Sequence, residues 1–189
     1  MHHSKKPAGK CSVPTPPDDV LLNKAAIIER CIRRIMEEAA AAPGLDHPTH
    51  VDALTLNVER ACQAAIDMAM HVVAERRLGI PQSNAHAFQL LERDGVIGDD
   101  LAKALGGMVG FRNVAIHQYD QIDLDILHWI IKAGHRDWIR LATALGVQIR
   151  RSLSVEKAIN GLFPPGRPQK SQGFLGWPVA ASCGGKLYP

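Results

Sequence analysis

Apolar residues recur at helical spacing along two long segments in the first half of the chain. The first segment predicts a helix that Asp18 or Asp19 caps and that ends before Pro43-Gly44, with an apolar face made of Leu21, Ile28, Cys31, Ile32, Ile35 and Ala39. The second predicts a helix over residues 51–78 that Gly79-Ile80-Pro81 ends. Two long amphipathic helices that adjoin in sequence favour an antiparallel pair.

The second half of the chain predicts further helices of the same kind. Ser83 is placed to cap a short helix that Gly95 ends, and Asp99 to cap a fourth. After a turn at 120–123, one last long helix follows, continuing to Leu145. The fold class is therefore all-α, an antiparallel bundle of four to five helices.

Both ends of the chain differ from this bundle in composition. Residues 1–17 contain four prolines and no periodicity, which predicts a disordered leader before a bundle at 18–146. Residues 147–189 are basic and rich in proline and glycine, which predicts a mostly disordered tail. A short basic helix is expected to continue from Gly146 to Ile159 before that tail opens.

Cysteine usage and hydropathy indicate a soluble cytoplasmic protein. The four cysteines are isolated along the sequence, and no Cys-x-x-Cys pair occurs. No apolar run is long enough to span a membrane, and the first residues lack the apolar region of a secretory signal. We therefore expect reduced thiols, no disulfide framework and no membrane contact.

The formal net charge of +3 is unevenly distributed. Residues 18–146 hold 13 basic and 18 acidic residues, a net charge of −5, so the basic excess lies in the two tails. An acidic domain does not attract free nucleic acid over long range. Any RNA chemistry would therefore depend on a local cationic cleft around Arg112, on the tails or on a partner.

The segment from Gly110 to Asp120 carries the strongest candidate chemistry. It places Arg112, Asn113, His117 and Tyr119 within eight residues. Arginine offers a permanent charge and a planar fork of donors that suits phosphate, and histidine exchanges protons near neutral pH. The pattern predicts phosphate-ester chemistry, although an exposed arginine, a half-buried histidine and a packed tyrosine would show the same spacing.

Helical geometry limits how closely the Arg112 and His117 side chains of this motif can approach each other. On an ideal helix the positions of Arg112 and His117 are about 140° apart, so the helix is expected to unwind near Ile116 and let His117 turn back towards Arg112. Gly106, Gly107 and Gly110 precede the motif in the same helix. Glycine inside a helix permits close approach of another backbone, which predicts helix-to-helix or subunit contacts there.

Several other polar residues are candidates of lower rank. Glu59 and Asp67 lie on the second helix and are expected either to be solvated or to support the site, Asp67 together with His71 one turn later. His47 and His50 have metal-ligand spacing, but no further ligand cluster accompanies them, so we expect neither metal nor cofactor. His128 and His135 share a face of the last helix, where a surface or interface role is expected.

The order of these pieces resembles the HepT-like family of HEPN-domain proteins. The resemblance lies in Val58 to Asp67, Gly79-Ile80-Pro81, Gly95-Val96-Ile97 and the run from Gly110-Phe111-Arg112-Asn113 to His117-Gln118-Tyr119-Asp120. It covers roughly residues 18–146, and its most specific part is Arg112-Asn113 with His117 and Tyr119.

The resemblance implies a toxin of a bacterial toxin–antitoxin system, a metal-independent endoribonuclease that works as a homodimer. By the family pattern Arg112 and His117 are catalytic, and Tyr119 receives AMP from a nucleotidyltransferase antitoxin of the MntA type. Two alternatives stay open from the residues alone. One is a non-catalytic helical adaptor that positions a nucleotidyltransferase; the other is a structural dimerisation bundle in which Arg112 and His117 are only packed.

Overall fold

A computed structural model describes residues 18–117, with the backbone but not the side chain of His117, and residues 123–150. These residues form six α-helices and no strand, which confirms the predicted all-α class. The helices are α1 (Asp19–Ala41), α2 (Pro48–Glu75), α3 (Asn84–Arg93), α4 (Asp99–His117), α5 (Leu124–Trp129) and α6 (His135–Ala144). The predicted leader and most of the predicted tail lie outside the described residues.

Helices α1 and α2 form the antiparallel hairpin on which the rest packs. Asp18 caps α1 as predicted, because its side chain accepts a hydrogen bond from the Val20 N–H at 2.6 Å. That hydrogen bond lowers the pKa of Asp18, and the contact of its carboxylate with His71 Nε2 at 2.6 Å adds to the effect. Fully buried alanines on α2, Ala61 and Ala65, let the two helix backbones pack closely.

Local capping signals also define α3. The Ser83 hydroxyl accepts a hydrogen bond from the His86 N–H at 3.1 Å, so the predicted cap is confirmed. Gly95 follows the helix with φ of 73°, a backbone angle that favours glycine, and the Val96 N–H closes the turn on the Leu91 carbonyl at 2.9 Å. Phe88 of α3 is fully buried in the bundle core.

The predicted last long helix is interrupted. A π-helical turn over Ile130–Gly134 joins α5 to α6, and a side-chain carbon at Gly134 would overlap the Trp129 ring. His135 Nδ1 lies 3.1 Å from the Ile130 carbonyl oxygen inside this widened turn. The expectation of a surface role for His135 is therefore wrong, since the residue is only 4% exposed. His128 is half-buried, with Nδ1 3.0 Å from the Leu124 carbonyl oxygen.

Residues 147–150, which follow α6, pack on the bundle and are not helical. Gly146 turns the backbone with φ of 80°, and residues 147–150 are not helical, so the short basic helix expected there does not begin. Val147 and Ile149 are buried in the core instead. The Arg150 N–H donates to Glu29 Oε2 at 3.2 Å. Over the residues described, no helix is long and apolar enough to cross a membrane.

Candidate active site at the end of α4

Residues 110–117, the described part of the motif segment, form the last two turns of α4. Buried Phe111 and Ala115 attach this end of the helix to the core and fix its rotation. Arg112 is half-buried and Asn113 exposed, whereas Tyr119 lies outside the described residues. The part of the motif that the structure describes therefore consists of two side chains and the backbone of His117.

The expected unwinding near Ile116 does not occur. Helix α4 continues through His117, so the prediction that it ends between Arg112 and His117 is wrong. No glycine or proline stands between these residues, and burial of Ala115 favours the continued helix. The backbone positions of Arg112 and His117 consequently remain about 140° apart around the helix axis.

The Arg112 side chain extends towards α2. Its Nε atom is buried and makes no hydrogen bond to a described residue, and no described carboxylate lies within ion-pair distance of its guanidinium. Burial raises the pKa of the Cys62 thiol well above its ordinary value, while the positive charge of Arg112 opposes that rise and the negative charge of Glu59 adds to it. Arg112 and Glu59 therefore both lie close to Cys62.

The two acidic candidates on α2 have different surroundings. Glu59 is half-buried, and its charge acts on the Cys62 thiol, as the charge of Arg112 does. Asp67 instead binds Lys24 Nζ at 2.7 Å and accepts a hydrogen bond from Gln63 Nε2 at 2.7 Å. His71, expected to share a cleft with Asp67, contacts Asp18. The contacts of Asp67 thus fasten α2 to α1, whereas Glu59 shares with Arg112 only an electrostatic effect on Cys62.

The glycines of α4 leave part of its surface bare. A side-chain carbon added at Gly106 or Gly110 would meet no described atom within 4 Å, so no helix of the described residues makes the predicted close contact at these two positions. The positions of Gly106, Gly110, Asn113 and His117 fall within about 60° of one another on an ideal helix. One face of α4 therefore carries small or polar residues, and no described atom covers its two glycines.

The site has no metal-ligand cluster in the part of the chain that is described. No group of three or more His, Cys, Asp or Glu side chains is arranged to hold a metal ion there. The candidate pair His47 and His50 forms an edge-to-face ring contact with centroids 5.3 Å apart. His50 Nδ1 also lies 2.7 Å from Glu38 Oε2, which ties the α1–α2 loop to α1.

Cys62 is not among the residues singled out in the sequence, yet it is a residue of α2 on which the charges of both Arg112 and Glu59 act. Its spacing of three residues from Glu59 puts both on neighbouring turns of α2, a signal present in the sequence. Its proximity to Arg112 depends on how α2 packs against α4, which no local pattern indicates.

Relatives of the chain include characterised nucleases. It is 38% identical over 122 residues to the mRNA nuclease HepT of Shewanella oneidensis, an alignment that covers 64% of this chain and 92% of the relative. It is 36% identical over 61 residues to the tRNA nuclease HepT of Aphanizomenon flos-aquae, covering 32% of this chain and 42% of that protein.

Solved structures with the same fold come from toxin–antitoxin complexes. One is the tri-AMPylated Shewanella oneidensis HEPN toxin in complex with an MNT antitoxin, with a TM-score of 0.65 and 34% identity over 68% of this chain and 98% of that one. A toxin–antitoxin crystal structure with AMP-PNP matches with the same scores and coverage. The family described as ribonuclease HepT-like matches residues 22–145. The resemblance seen in the sequence is confirmed, and the chain belongs to the ribonuclease HepT-like family.

Proposed function

We propose that this protein is the toxin of a toxin–antitoxin pair and cleaves RNA without a metal ion. Family membership and the nuclease relatives support the activity. The observation that supports the site is the environment of Arg112, whose Nε is buried without a hydrogen bond and whose guanidinium has no described carboxylate partner. A guanidinium that serves only stability is usually paired when it leaves water, whereas one that binds phosphate must keep its donors available.

The chemistry assigns a role to each residue of the motif. RNA cleavage through the 2′-hydroxyl needs a base for that hydroxyl, an acid for the 5′-leaving oxygen and a cation for the charged phosphorane. We assign proton transfer to His117 and charge stabilisation to Arg112. Asn113 supports substrate binding from the exposed side, and Glu59 orients Arg112 electrostatically. We assign Asp67 an indirect support role, since it fixes α1 against α2.

A homodimer completes this set of groups. One motif supplies a single imidazole, whereas the reaction needs an acid and a base. The bare face of α4, with Gly106, Gly110 and Asn113 beside the position of His117, allows a second α4 to approach closely. Pairing through this face would place the two His117 positions next to each other. The active cleft would then contain two histidines and two arginines.

Metal-independent cleavage tests this proposal against the adaptor alternative. We expect the purified protein to cleave single-stranded RNA in the presence of EDTA, because the acid, the base and the cation are all side chains. A metal-dependent contaminating nuclease would be inhibited under the same conditions. A folded, RNA-binding preparation without cleavage in EDTA or in magnesium would favour the adaptor function.

We further propose that a nucleotidyltransferase antitoxin silences the protein by attaching AMP to Tyr119, in the cytoplasm where both partners meet RNA. The solved relative is tri-AMPylated and bound to an MNT antitoxin. In this chain Tyr119 follows His117 by two residues. A phosphodiester at that position adds a negative charge able to pair with Arg112 and a nucleoside that fills the space of an RNA sugar.

Tyr119→Phe is expected to yield an active nuclease that co-expression of the nucleotidyltransferase no longer silences, because phenylalanine lacks the acceptor hydroxyl. Intact-mass spectrometry should show additions of AMP on the wild-type protein and none on the variant. Tyr188→Phe, which changes the other tyrosine of the chain, is the matched control and should be modified and silenced like wild type. Equal silencing of Tyr119→Phe would contradict modification as the switch and favour simple occlusion of the cleft.

A further inference from the structure

Five basic side chains line an open groove of about 770 Å³ between α1 and α2. They come from both helices and are Lys24, Arg30, Arg33, Arg34 and Arg60. Asp67 is the one acid among the lining residues, and it is bound to Lys24. The bundle carries a net negative charge and only 13 basic residues in all, so this groove gathers more than a third of them. It is a local cationic surface on an acidic domain.

Two of these arginines have no ion-pair partner among the residues described. Arg33 and Arg34 form ion pairs with Glu37 of the same helix, with distances of 3.9 Å from Arg33 Nε and 3.0 Å from Arg34 Nη1 to its carboxylate oxygens. Arg30 and Arg60 are exposed and make no such contact. Arg30 lies on the α1 wall of the groove and Arg60 on the α2 wall. Both charges act on the Cys31 thiol, because each opposes the rise that burial causes in the pKa of Cys31.

We propose that this groove is an exosite for the sugar–phosphate backbone of single-stranded RNA, in which Arg30 and Arg60 bind phosphate from the two walls. The proposal rests on the ribonuclease function proposed above and concerns a surface distinct from the motif of α4. A planar guanidinium donates two parallel hydrogen bonds to a phosphate, and two guanidiniums facing each other across a groove match an extended polyanion.

The remaining lining favours a nucleic-acid backbone over a protein partner. Protein interfaces concentrate their binding energy in aromatic anchors that fill apolar pockets. This groove has no aromatic lining residue, and its apolar positions are aliphatic, with Ile27 half-buried and Leu56 44% exposed. Such a surface accommodates sugars and bases without selecting among them. Binding should therefore be salt-dependent and largely independent of sequence.

The position of the groove predicts which substrates benefit from it. The charge of Arg112 acts on Cys62, and the positions of Arg60 and Cys62 are about 160° apart around α2. The groove and the motif consequently lie on different sides of this helix. Only an RNA long enough to pass around α2 can occupy both, so the exosite should increase the affinity for long substrates and leave a dinucleotide unaffected.

The combined variant Arg30→Gln with Arg60→Gln tests this inference in the full-length protein. The probes are a long single-stranded 2′-O-methyl RNA for binding, and a long RNA and a dinucleotide for cleavage. We expect Kd for the long RNA to rise on the order of tenfold. The slope of log Kd against log salt should fall by about 1.4, as for the loss of two phosphate contacts. The kcat/KM value should fall for the long RNA and stay unchanged for the dinucleotide.

Arg77→Gln with Arg93→Gln is the matched control, because both arginines are exposed and lie outside the groove. The two substitutions remove the same positive charge as those in the groove. RNA affinity equal in the groove and control variants would overturn the exosite. So would a groove variant that binds RNA normally but loses its nucleotidyltransferase partner, since the groove would then be a protein-docking surface. If the wild-type protein binds RNA through the groove but cleaves neither substrate, the exosite stands and the proposed ribonuclease function fails.

Discussion

His117→Ala is expected to reduce RNA cleavage by about 10²–10⁴-fold, the usual effect of removing a general acid or base. The fold should be preserved, because α4 is attached to the bundle by buried residues such as Phe111 and Ala115 and not by its last position. Cleavage kinetics and far-ultraviolet circular dichroism, measured on the same preparation, separate the two effects. The affinity for a long 2′-O-methyl RNA should change little, since phosphate binding is assigned to arginines.

The matched control for this loss is His47→Ala. His47 is an exposed histidine that precedes α2, makes no capping hydrogen bond and lies in a different region of the sequence from the motif. It should retain wild-type cleavage. Cleavage by folded His117→Ala at the wild-type rate would exclude His117 as a proton-transfer group and would assign proton transfer to other residues.

Arg112→Lys should be nearly as damaging as Arg112→Ala, with a loss in kcat of about 10²–10³-fold, as found when a positioned charge stabiliser is removed. Lysine keeps the positive charge but loses the planar fork that binds two phosphate oxygens at once. Lysine would place a methylene at the buried Nε position and a single ammonium near the guanidinium carbon, so it cannot present two parallel donors there. Single-turnover cleavage at saturating protein measures this effect apart from binding.

Arg93→Lys is the corresponding control, because Arg93 is an exposed arginine at the end of α3 that lies outside the motif and the groove. It should cleave like wild type. If Arg112→Lys retained full single-turnover activity, Arg112 would act only as a diffuse positive charge. Its unpaired guanidinium would then not indicate bidentate phosphate binding.

Local signals in the sequence predicted most of the helix boundaries because caps and stops act over a few residues. Asp18, Ser83 and Gly95 each make the backbone interaction that their residue type favours, so they could be identified without any knowledge of packing. The predicted end of α4 was wrong because it did not rest on a local signal. It rested on the expectation that Arg112 and His117 meet, which required a break in a segment that contains no glycine or proline.

Features that arise from packing between helices were not predictable from periodicity. The π-helical turn depends on the Trp129 ring lying where a side chain at residue 134 would stand, and the burial of His135 follows from that turn. The groove requires α1 and α2 to pair in a register that brings Arg30 and Arg60 to the same thiol. In the sequence these arginines are thirty residues apart and resemble ordinary solvated charges.

The bare face of α4 also affects how nuclease activity depends on the number of toxin chains in the cell. If the cleft forms only when two chains pair through Gly106 and Gly110, then active sites follow mass action. Below the dissociation constant of the dimer, halving the number of chains lowers the number of active sites about fourfold. A small excess of free toxin would then be almost harmless, whereas a large one would be abruptly toxic. Such a threshold tolerates random fluctuation in expression and responds to sustained loss of the antitoxin.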